Sequence, residues 1–148
     1  MTTRDDVIRA VDAAWRDLRK SLEPATSLDV NLPGVCERWS IKTLLGHIAA
    51  WDAHATRVLL GAPARLPEDI DAFNERNARA GARLPYRQVA RELEERHRAL
   101  REAMRDAPDD AFEPESRIRS IIDADTVFHY EEHGAQIRAW LAERRKSR

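Results

Sequence analysis

The sequence predicts an all-α protein, an antiparallel four-helix bundle with one short extra helix. Three observations predict it. Apolar residues recur at helical spacing through four long stretches. Prolines fall at or beyond the ends of those stretches. No run alternates apolar with polar residues for long enough to make a strand. Amphipathic helices that each bury one face against the others give a bundle.

Each element follows in order. Thr3 and Asp6 read as an N-cap and an acidic third helical residue, and Val7, Ile8, Val11, Trp15, Leu18 and Leu22 then mark helix one. Pro24, Pro33 and Gly34 interrupt the pattern, so residues 23–39 form a long connection of a length that is often functional. Ser40 suits the N-cap of a second helix that runs to about Leu60 and stops at Gly61. Pro63 and Pro67 bracket a turn, followed by a short helix from Glu68 to about Ala80, ended by Gly81. Pro85 suits the first turn of the next long helix, whose apolar line of Val89, Leu93, Leu100 and Met104 is interrupted by His97. Pro108 and Pro114 end that region. The last helix begins between Ser116 and Thr126, with Asp123 and Asp125 as candidate caps, and runs to about Arg145.

A length of 148 residues suits one domain, 1–148, able to bury a sizeable core. Lys and Arg number 25 against 26 Asp and Glu, so no global field draws in nucleic acid or an anionic membrane surface. Arginines alternate with Glu and Asp along helices, as on solvated, ion-paired faces. Cys36 is the single cysteine, which rules out an internal disulfide. No apolar run approaches the roughly 20 residues needed to cross a bilayer. The expected location is the cytoplasm.

The chemistry concentrates in histidines. His129 and His133 are four residues apart on a helix, which puts their side chains about 40° apart around the axis and about 6 Å along it. Both rings can then face one ion. His47 occupies a seat on the apolar face of helix two, among Leu44, Ile48, Trp51 and Ala55. Three imidazoles on core faces need partners, because an unpaired buried polar group costs about 1 to 3 kcal/mol. A shared divalent metal would satisfy all three and leave a coordination position open. The alternative is that each hydrogen-bonds a neighbour in the core. Tyr130 stands where a zincin HExxH motif demands Glu, so that motif is absent.

Other residues take secondary places. His54 lies on the face of His47 but about 10 Å further along the axis, too far for the same ion, and is a candidate proton shuttle or a packed residue. Tyr130 is a second candidate for proton transfer. Asp52 and Glu132 sit off the ligand face, in outer-shell or surface positions. Asn74 and Asn77 on the short helix are candidate substrate contacts, and Trp39 a candidate pocket wall. Trp51 and Trp140 read as core anchors. Cys36, in the long connection, is either a nucleophile presented to a cleft or an incidental small residue. His97 receives no role.

The segments WSIKTLLGHIAAWD at 39–52, DAFNERN at 71–77 and DTVFHYEEHGAQIRAWL at 125–141 together resemble the DinB-like superfamily, and most closely its ClbS/DfsB-type branch. The resemblance covers nearly the whole chain. It implies an up-down-down-up bundle in which His47, His129 and His133 bind a divalent metal, nickel or zinc. It also implies transferase or isomerase chemistry with a low-molecular-weight thiol, or metal-independent protection against a reactive metabolite, as in relatives that hydrolyse a cyclopropane in a genotoxin. Homodimers are common among such proteins. The expectation is therefore a metal-dependent enzyme that activates water or a thiol for hydrolysis of, or transfer to, a small electrophile. The alternative is a metal-independent protective binding protein or ClbS-like hydrolase.

Overall fold

Thr2 and Asp5 close the first turn of α1 (Thr3–Leu22): the Thr2 hydroxyl accepts from the Asp5 amide, and the Asp5 carboxylate accepts from the Thr2 amide. The cap lies one residue earlier than the sequence suggested, because Thr2 and Asp5 also have the spacing a capping box requires. The computed structural model describes residues 2–147. After α1 come α2 (Ile41–Leu59), α3 (Ile70–Ala82), α4 (Tyr86–Asp106), α5 (Arg117–Asp125) and α6 (Val127–Lys146), with short 3-10 turns at Asp29–Asn31 and Asp109–Phe112. Ser40 caps α2 by accepting from the Thr43 amide, and Gly61, at φ +111°, ends it in the left-handed region that glycine tolerates.

Two sequence expectations change at the ends. Gly81 does not stop the short helix. It lies inside α3 against Gly46 of α2, where a Cβ built on Gly46 would come within 3.4 Å of the Gly81 Cα. The glycines thus serve close helix packing rather than termination. The last helical stretch is two helices, broken at Thr126 (φ −116°, ψ −85°), whose hydroxyl bonds back to the Ile122 carbonyl at 2.6 Å. Ser116 caps α5, so neither Asp123 nor Asp125 acts as a cap. Asp123 pairs with Arg119, and Asp125 turns inward to His54.

The side-chain register gives the helix directions. Trp15 meets Tyr130, Leu18 approaches Gly134 and Ser21 accepts from Arg138, so α1 and α6 run parallel. Gly46 lies near Val89 and Asp52 near His97, so α2 and α4 are also parallel. Asp12 pairs with Arg101 and Arg19 with Glu94, which sets α1 antiparallel to α4. His47 faces His133 while Trp51 faces His129, which sets α2 antiparallel to α6. The order is up-down-down-up.

The core between these helices contains Val11, Leu18, Leu44, Ile48, Leu100 and Ile137, none more than 1% exposed. Burial of each such side chain contributes about 2 kcal/mol. The 23–39 connection is held to the bundle by buried Asp29, which accepts from Arg144 at 2.8 Å. Near its end the connection makes a tight turn, Cys36 to Trp39, closed by the Trp39 amide donating to the Cys36 carbonyl at 2.9 Å.

Candidate metal centre

α2 and α6 cross so that His47, His129 and His133 converge: one ring nitrogen from each lies within 4.8 Å of the others. Among the described residues this is the only group of three or more His, Cys, Asp or Glu side chains so placed. The His47 and His129 Nε2 atoms stand 2.8 Å apart. His133 Nδ1 is 2.7 Å from Gln136 Oε1, which can only accept, so Nδ1 carries the proton and the Nε2 lone pair is free to ligate. The sequence signal for Gln136 was its position three residues after His133, on the same helical face.

The protein atoms alone do not satisfy this cluster. His47 Nδ1 and His129 Nδ1 are buried without a hydrogen-bond partner. Burial, with neighbouring imidazoles adding to it, pushes His47 down to about 3 and His129 down to about 2, and burial also lowers His133. All three rings are therefore neutral at neutral pH, the state in which imidazole binds metals. Three neutral nitrogen donors with orphaned polar atoms beside them fit a divalent ion. The cluster could hold one.

A cavity of about 450 Å³ opens onto the histidines. Trp39 and Trp51 form its walls, with Trp39 4.8 Å from the His47 ring and Trp51 6.4 Å from the His129 ring. Trp51 is buried, as expected of a core anchor, but its indole also faces the cavity and donates to Asn74 Oδ1 at 2.9 Å. Asn74 lines the cavity; Asn77 does not, its amide donating instead to the Phe73 carbonyl at 2.8 Å. Trp140 is half-buried beneath the Arg144 guanidinium. Cys36 lines the cavity, but burial, then Glu37 and Glu132, push its thiol up, which disfavours a thiolate nucleophile.

His54 and Tyr130 occupy other places. His54 does not line the cavity. Its Nδ1 is 2.7 Å from Asp125 Oδ2 and its Nε2 is 3.0 Å from the Arg65 carbonyl. A carbonyl can only accept, so Nε2 carries a proton; the short contact at Nδ1 then needs another proton between imidazole and carboxylate. The pair holds either imidazolium and carboxylate or imidazole and carboxylic acid, and its net charge is zero in both. Burial pushes Asp125 up to about 6, and the hydrogen bond to Asp125 raises His54, both in the direction that holds the shared proton in place. Asp125 itself lines the cavity. By its spacing alone Asp125 reads as a helix cap, since nothing along the chain pairs residues 54 and 125.

Tyr130 points away from the histidine cluster. Its hydroxyl donates to Asp52 Oδ1 at 2.7 Å and lies 2.9 Å from His97 Nδ1. His97, given no role from sequence, stacks on Trp15 at 3.8 Å between ring centres. Asp52 is not a surface residue: it is fully buried, and burial raises its pKa. A larger cavity, about 520 Å³ between α1 and α6, is lined by Lys20, Ser21 and Arg138 and lies apart from the three histidines.

The chain belongs to the DinB-like superfamily, as shown by a family model that matches most of its length. Within it, residues 11–120 match the model of the mycothiol maleylpyruvate isomerase N-terminal domain, and the chain is a member of that family. His47 falls inside the matched residues; His129 and His133 lie beyond them. The chain is similar to the crystal structure of an uncharacterised protein from Escherichia coli UTI89, at 17% identity and TM-score 0.80, covering 98% of this chain and 96% of that one. That likeness shows the fold. No curated protein matches the sequence. No helix among the described residues is long and apolar enough to cross a membrane.

Proposed function

We propose that the chain, as a single domain over residues 1–148, is a metal-dependent enzyme acting on a small electrophile with a low-molecular-weight thiol. His47, His129 and His133 would hold a divalent ion, nickel or zinc. The observation that carries this reading is the convergence of three neutral imidazoles at the inner end of a cavity large enough for a small organic molecule. When bound, the ion supplies positive charge that eases removal of a proton from a thiol or water beside it. The family description names mycothiol, a thiol of that class, and this supports the choice of thiol over water.

The chain's own residues would do the rest. Gln136 fixes the His133 tautomer. Trp39 and Trp51 exclude water from one flank of the ligand, and Trp51 holds the Asn74 amide in place. Cobalt(II)-loaded protein tests the reading: the uncharged thiol N-acetylcysteine methyl ester should give a sulfur-to-cobalt charge-transfer band that His47→Ala lacks. A spectrum unchanged by the thiol would count against it.

A second reading, a ClbS/DfsB-like protein that binds or hydrolyses a reactive metabolite without metal, draws on the 2.8 Å contact between His47 and His129, which joins the two rings without an ion. Cobalt spectra identical to those of free cobalt, with no protein-bound fraction, would favour it.

A further inference from the structure

The charges around the cavity are of one sign. Glu37, Asp125 and Glu132 line it, and no Lys or Arg side chain does so among the described residues. Asp125 adds no net charge, because its pair with His54 carries the balancing proton in either form. Glu37 and Glu132 remain, both exposed at the outer edge, and neither forms an ion pair among the described residues. Their field reaches inward, since after burial they are the groups that raise the Cys36 thiol. The other flank of the edge is apolar, with Leu66 51% and Ile70 40% exposed, and the walls are indoles.

Glu37 is held there at some expense. Its φ is +53°, the only positive φ at a non-glycine residue among those described, at the tip of the Cys36–Trp39 turn. A side chain in the left-handed region costs about 1 kcal/mol, and such outliers gather at ligand sites. Glycine would remove the strain; the turn presents a carboxylate instead.

We propose that this cavity takes an apolar or aromatic molecule carrying no net negative charge, with a neutral or amine-bearing head directed to Glu37 and Glu132, and that the two glutamates reject anions. The inference rests on the reading that substrate occupies the cavity beside the three histidines. A divalent ion on neutral imidazoles would bring two positive charges, which the two glutamates balance. A dicarboxylate would then find no second cation.

Calorimetric titration of metal-free protein with 1-naphthylmethylamine and with 1-naphthoate tests the proposal, because a carboxylate cannot then bind simply as a metal ligand. The amine should bind about tenfold more tightly than the carboxylate, as expected when two partly screened charges change from attractive to repulsive. In the double variant Glu37→Gln, Glu132→Gln the ratio should fall to about twofold. Equal affinities in the native protein, an unchanged ratio in the double variant, or binding of neither probe would overturn it. Zinc uptake, measured on aliquots of the same preparations reloaded with zinc and desalted, separates the two ideas: no charge preference with zinc taken up refutes this proposal alone, and a charge preference without zinc uptake refutes the metal site alone.

Discussion

The Tyr130 hydroxyl donates to Asp52 Oδ1 at 2.7 Å, and this bond fixes the rotation of α6 against α2 one residue away from His129. His97 Nδ1 donates in turn to the same hydroxyl at 2.9 Å, while Trp15 covers the imidazole. The chain of donors therefore joins α2, α4 and α6, with Trp15 of α1 stacked over it, and none of its members lines the cavity beside the histidines.

Tyr130→Phe removes the donor to Asp52 Oδ1 and leaves the fully buried carboxyl with only His97 Nδ1 beside it, 3.6 Å from Oδ2. The expected loss is about 1 to 3 kcal/mol, read from urea unfolding. A loss below a few tenths of a kcal/mol would mean that Asp52 finds water or another partner.

The shared proton between His54 and Asp125 makes two substitutions unequal. His54→Ala leaves Asp125 buried and unpartnered and should cost about 3 kcal/mol. Asp125→Asn keeps a hydrogen bond, because the amide can donate to Nδ1 while Nε2 still donates to the Arg65 carbonyl, and should cost about 1 kcal/mol or less. Equal costs would contradict the proton assignment.

Helical period and capping chemistry made the four long helices legible, and two core-facing stripes carrying His47 and the His129–His133 pair made the cluster legible. What stayed hidden depends on contacts between distant elements. Asp125 reads as a cap until α2 brings His54 to it, and His97 reads as an interruption until Trp15 and Tyr130 enclose it. Gly81 looked like a helix stop because a close approach to Gly46 leaves no trace in either helix taken alone. The acidic edge of the cavity joins a loop residue, Glu37, to a helical one, Glu132, and no local rule links them.

Acid should destabilise the metal-free protein over a defined range. The folded state holds His47 at about 3 and His129 at about 2, down from 6.5. Between these values the unfolded chain binds protons that the folded protein does not, so stability is full above 6.5 and falls as pH drops toward 3. Urea midpoints measured with chelator present should follow that fall, and His47→Gln with His129→Gln should flatten it.

The three-histidine centre is tested most directly by elemental analysis of protein loaded with zinc or nickel and then desalted. One ion per chain is expected in the native protein and in His97→Ala, whose ring lies outside the cluster, and none in His129→Ala. Native protein that emerges without metal, or His129→Ala that retains a full equivalent, would contradict the assignment.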